Sequence, residues 1–219
     1  MNFKTCCKIF LIFLYCFISN ESFAHATVIN VEQMNISQTL ILYLQLGFQH
    51  IIPLGLDHIF FIIALFIINP KFKEILIQAT AFTIAHTITL GLSMFQIIKA
   101  PTQIVEIIIA ISILFIAVEN IFTSKVNHSR IAIVFLFGLI HGLGFAAVLS
   151  EIGLPQNKFI PSLLMFNLGV EIGQIAVITA VYFVLIKWVK DADYYKSRVV
   201  IPISVFISIV SMYWIIERI

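Results

Sequence analysis

The sequence predicts an all-α protein, a polytopic transmembrane bundle of about six spans with its first span broken. Three observations carry that prediction. Of the 219 residues, 61% are hydrophobic and 11% charged, where soluble domains carry about 25% charged residues, so the chain has too little charge to clothe a water-facing surface. Apolar runs recur that reach the ~20 residues a helix needs to cross a bilayer. Short polar links separate them, and the lysines and arginines of those links fall unequally on alternate sides. The net charge of +2 does not point to nucleic acid, and the links offer no phosphate-cradling glycine loop for a nucleotide.

Residues 1–24 read as a cleaved signal peptide. Lys4 and Lys8 precede a short apolar core, and small residues at Ser22 and Ala24 suit the peptidase; an uncleaved anchor is the alternative. Cys6, Cys7 and Cys16 all lie in this segment. A mature chain without them must build any metal site from imidazole, carboxylate and amide ligands. Residues 25–36 form a short periplasmic lead, and 37–219 a single transmembrane domain.

The first crossing runs from Gln38 to Ile68 and is interrupted at Pro53-Leu54-Gly55, because proline removes a helical hydrogen bond and kinks the chain. An interfacial helix followed by a short span is the other reading. Later crossings cover 75–98, 102–122, 131–150, 159–187 and 199–216. With the mature N-terminus outside, the links holding Lys71, Lys73, Lys125, Arg130, Lys187, Lys190, Lys196 and Arg198 face the cytoplasm, against Lys99, Lys158 and Arg218 outside. Positive charge concentrates inside, so both mature termini are expected on the periplasmic face of a bacterial inner membrane.

Polar residues interrupt the oily runs at similar depth. His50, Asp57 and His58 flank the break, His86 is central in the second crossing, His141 in the fourth and Glu171 in the fifth. An acid at a helix centre costs about 2.5–3.5 kcal/mol on insertion scales, so these acids need a proton or a cation. No lysine or arginine is expected deep in a crossing to supply it. Asn167 and Gln174 share the face of Glu171. Glu106 and Glu119 stand near the outer and inner ends of the third crossing, with Asn120 beside the latter. Imidazole and carboxylate together suit a divalent transition metal such as nickel, cobalt, iron or zinc, and broken helices form midplane ion sites in transporters. His50, Asp57, His58, His86, His141 and Glu171 are therefore candidate ligands. Glu106, Glu119, Asn120, Asn167 and Gln174 are candidates for the path or its supports. Each imidazole alone also reads as a hydrogen-bonding strut between helices, and Glu106 as a complement to its helix N-terminus. Gly138 and Gly142 have the GxxxG spacing of closely packed helices. The phenylalanines read as packing material.

Four blocks, GFQHIIPLGLDHIFFIIAL, AFTIAHTITL, VEIIIAISILFIAVENIF and FGLIHGLGFAAVLSEIGLP with FNLGVEIGQ, make the chain resemble the HupE/UreJ family, in particular its second branch. The resemblance implies an inner-membrane protein tied to nickel uptake and to hydrogenase or urease maturation. The family motif, a His followed by Pro, Gly and Asp-His, falls on His50, Pro53, Gly55, Asp57 and His58, which here read Pro-x-Gly-x-Asp-His after the first His; Ile51 and Ile52 separate His50 from Pro53.

Three functions compete. The first is a secondary permease for a divalent transition metal, nickel favoured, in which protons on Asp57 or Glu171 exchange with the metal. The second is an intramembrane metal-dependent hydrolase, with Ser112 as an added polar group. The third is a non-transporting assembly factor or chaperone.

Overall fold

The computed structural model describes residues 34–123, 130–152 and 156–219, and every regular element among them is helical. The signal-peptide reading lies outside the described residues.

Helix α1 (Ile36–Ile51) opens on a capping box. The Asn35 side chain accepts the Gln38 N–H at 2.9 Å and the Gln38 side chain accepts the Asn35 N–H at 3.1 Å, which satisfies two otherwise orphaned donors. The chain then breaks at Ile52–Gly55 and leaves as α2 (Leu56–Ile68) at 65° to α1. The Ile52–Pro53 peptide is cis. Leu54 and Gly55 N–H groups return to the carbonyls of Gln49 and Ile51, so the turn folds back on the end of α1. Only glycine fits at 55, where a Cβ would stand 2.2 Å from the His50 carbonyl oxygen.

At 13 residues, α2 is about 20 Å long at 1.5 Å per residue, short of the ~30 Å hydrocarbon core. Its residues from Ile59 to Ile67 are all buried, as a helix apolar on every face must be. It forms the central strut of the bundle, and α1 and α2 together make one broken crossing.

Around it stand α3 (Phe72–Met94), α4 (Thr102–Phe122), α5 (Arg130–Ile152), α6 (Phe159–Val181) and α7 (Ile201–Arg218). A π-helical turn, Tyr182–Ile186, carries α6 on to Val189, and another, Lys196–Val200, leads into α7. The helices α3, α4, Phe159–Val189 and Lys196–Arg218 are each long and apolar enough to cross a membrane, and the bent pair adds a fifth crossing. Helix α5 completes the bundle with 23 residues, of which Arg130–Ala146 form a shorter apolar stretch. This is a multi-pass helical membrane protein.

The tightest pairings are α3 with α5, α1 with α6 and α4 with α7. Glycines permit two of them. A Cβ on Gly47 would meet the Phe166 carbonyl oxygen at 1.9 Å, and one on Gly142 the His86 carbonyl oxygen at 2.3 Å. The backbones therefore touch where the functional side chains are carried.

The expectation of no deep cation needs correction. Arg130 begins α5 rather than lying in a link, and it is only 2% exposed. Its guanidinium lies 3.3 Å from Glu119 and 3.1 Å from the Asn120 side-chain oxygen, while Asn120 Nδ2 donates to the Ala64 carbonyl at 2.6 Å. The physical reason is that Arg130, as the first residue of α5, packs against the end of α4, where the Glu119 carboxylate and the Asn120 amide oxygen receive its charge. Beside this network the Tyr195 hydroxyl donates to the Ile67 carbonyl at 2.7 Å, capping the buried end of α2. Burial raises the Tyr195 phenol above its ordinary value, so it keeps the proton that it donates.

Candidate metal centre

The break in the first crossing sets the site. Helix α1 carries His50 in its last turn and α2 carries Asp57 and His58 in its first, so the break places both imidazoles together, ring centroids 4.6 Å apart. Asp57 occupies the first turn of α2, where a carboxylate complements the helix dipole. Its Oδ1 accepts the His58 backbone N–H at 2.8 Å and lies 2.9 Å from His58 Nδ1.

The close packing of α3 on α5 brings in the other two rings. His86 is 5.9 Å from His50 and 6.2 Å from His58 between centroids, and His141 is 5.1 Å from His58. His86 and His141 are fully buried, His58 nearly so, and His50 partly. Three of the four rings spend Nδ1 on a neighbour. His58 uses Asp57, His86 lies 3.3 Å from Asn167 Oδ1, and His141 lies 2.8 Å from the Phe137 carbonyl. All four Nε2 atoms are buried without a hydrogen-bond partner.

That pattern has a chemical meaning. A buried polar atom left unpaired is costly, and a metal-binding histidine characteristically donates its other ring nitrogen to an acceptor that fixes the tautomer. His50, His58 and His86 offer ligand atoms that all lie within 4.8 Å of one another. A closed tetrahedral shell at ~2.05 Å would hold them about 3.4 Å apart, so the set is gathered but open. His141 adjoins it through His58 and lies outside that three-residue set.

Phenylalanines that read only as packing wall this cluster. Phe145 lies 3.9 Å from the His50 ring, and Phe82 lies 4.8 Å from His141 and stacks on His86. Phe145 also lines a cavity beside the cluster. That cavity, of about 410 Å³, is lined by His50, Asp57, His58 and His141 and, at more exposed positions, by Glu106 and Arg218.

The remaining candidates sit elsewhere. Glu171 is not part of the imidazole group; its Oε1 accepts the Thr80 hydroxyl at 2.6 Å, and Oε2 is buried without a partner. Gln174 accepts the Thr83 hydroxyl at 3.0 Å, so among them Asn167 alone touches an imidazole of the cluster. Glu119 and Asn120 belong to the Arg130 network. Ser112 donates to the carbonyl of Ile109 in its own helix at 2.7 Å. Sequence reasoning missed Arg130 and Arg218 as partners of the crossing acids. The available signal was that each arginine adjoins an apolar run and that Glu119 and Glu106 stood without a counter-charge.

The profile of the family described as HupE / UreJ protein matches residues 25–218, nearly the whole chain. The chain belongs to the HupE/UreJ family. No curated protein and no solved structure matches it. In this HupE/UreJ protein the matched span takes in helices α1 to α7, so the imidazole cluster and the cavity both lie within the family's own segment.

Proposed function

We propose that this HupE/UreJ protein is a secondary permease for a divalent transition metal, nickel favoured, with cobalt, iron or zinc as the other candidate ions. The observation that carries the reading is the gathering of three imidazoles, each with a buried and unpaired Nε2, two of them lining a cavity inside a bundle of membrane-crossing helices. Neutral imidazoles bind borderline metals through that nitrogen, and the open spacing favours a site that releases its ion, as conduction requires.

In the proposed orientation the protein sits in the inner membrane with both mature termini periplasmic. The cavity then faces the periplasm. The cytoplasmic side is closed by the buried run of α2 and by the Arg130 network. The inside-negative potential supplies about 2.3 kcal/mol per charge per 100 mV, so about 4.6 kcal/mol for a dication, and no nucleotide is needed. Delivery to a hydrogenase or urease maturation system is the partner role in keeping with the family.

Uptake of radioactive nickel tests this in cells lacking their own importers. Wild-type protein is expected to raise uptake above empty vector, and Asp57→Asn/His58→Ala to abolish it at equal membrane abundance. Well-expressed wild type that moves none of the four metals sinks the permease. A second reading, a metal-dependent hydrolase, draws on the three imidazoles with a cavity-facing opening, the ligand count of catalytic zinc sites. A hydrolase retains its metal through dialysis against a weak chelator, and a permease loses it.

A further inference from the structure

We propose that Glu106 is an entry site for a hydrated divalent cation, and that the Arg218 guanidinium is a tethered cation that occupies it between arrivals. The inference rests on the permease reading for its ligand and adds a second station, at the rim of the cavity, to the imidazole cluster on its floor.

The geometry is built from both ends of the bundle's last pairing. Helix α4 starts where α7 finishes, and the side chain of Gln103 donates to the Arg218 carbonyl at 3.0 Å. Arg218 lies over the Trp214 ring at 5.6 Å and donates to the Glu106 backbone carbonyl at 2.9 Å. Its Nε is 3.7 Å from the Glu106 carboxylate, longer than the ~2.8 Å of a good charge-assisted bond. The guanidinium is thus anchored on backbone and ring, while the carboxylate, 45% exposed, keeps lone pairs free. The cavity behind it, about 410 Å³, has room for an ion with six waters at ~30 Å³ each.

A fixed positive charge at the door of a cation site only repels dications, unless they exchange onto its counter-ion. A dication outbids a single guanidinium for a carboxylate by its second charge. Glu106 then takes the incoming ion on its free lone pairs in place of its long contact with Arg218, and the ion passes down to Asp57 and His58.

The test uses full-length protein in detergent. In a Trp188→Phe background Trp214 is the only tryptophan, and its emission is followed during zinc titration. A saturable change is expected, absent in Glu106→Gln and retained in His86→Ala. Calorimetric zinc titration in a His58→Ala background, which weakens the deeper site, gives the affinity of the rim. Arg218→Gln is expected to bind about fivefold tighter, the effect of one unit charge at ~4 Å in water. Arg218→Lys is expected to bind like the parent, and Arg218→Gln/Glu106→Gln like Glu106→Gln. The gain shrinks in high salt, which screens exposed charges. Unchanged or weaker binding in Arg218→Gln, or a full Trp214 response in Glu106→Gln, overturns the entry site. A normal rim response with no metal uptake sinks the permease and leaves the entry site standing. Uptake with no rim response does the reverse.

Discussion

The Arg130 guanidinium lies 3.3 Å from the Glu119 carboxylate, with Arg130 2% exposed. Removing either partner of such a pair leaves a buried charge uncompensated. Glu119→Ala is expected to cost about 3 kcal/mol, read as a lower unfolding midpoint in detergent. Arg130→Met/Glu119→Leu is expected to recover most of that stability, since an apolar replacement removes both charges. If the double variant is no more stable than Glu119→Ala, the pair does not carry the stability of this end.

Asp57 touches His58 through backbone and ring together. Asp57→Asn is expected to lower nickel affinity by about 10- to 100-fold, the usual cost of losing the group that orients a ligand, without unfolding the protein. Calorimetry with nickel checks this against Asn167→Ala, which removes the matching support of His86 and is expected to fall in the same ~10- to 100-fold range.

The two deepest imidazoles separate ligand from neighbour. His86 belongs to the three-residue group and His141 only adjoins it. His86→Ala is expected to abolish measurable nickel binding, and His141→Ala to weaken it by about tenfold, as loss of an outer support does. Equal losses in the two variants would make His141 a ligand of equal standing.

Glu171 is bonded to Thr80 and stands apart from the imidazole group. Glu171→Gln is expected to leave nickel affinity within about twofold, as for sites without shared partners. A loss of tenfold or more in the same calorimetric assay would return Glu171 to the ligand set.

A Cβ on Gly169 would stand 2.1 Å from the Leu44 carbonyl oxygen, a backbone atom that cannot turn away. Gly169→Ala is expected to pry α1 from α6 and cost about 1–3 kcal/mol. It is also expected to weaken nickel binding, because His50 rides on α1. A thermal melt and a nickel titration on one preparation check both.

The sequence by itself determined the class and the cast. Hydropathy is a local property that survives without coordinates, so the crossings and the break at Pro53-Gly55 were legible, as were the residue types available to bind a metal. The profile of polar residues along the oily runs singled out His50, Asp57, His58, His86, His141 and Glu171 before any contact was known. Depth along a helix follows from counting residues at a fixed rise. Rotation about its axis does not, and rotation decides which side chains meet. Only the tertiary structure, through backbones brought together at Gly47 and Gly142, turned His50, His58 and His86 toward one another. The same rotation sent Glu171 to Thr80 and gave Glu119 and Glu106 to Arg130 and Arg218. Those two arginines sit at helix ends, where packing between helices, rather than the composition of either one, decides whether the charge meets water or a carboxylate.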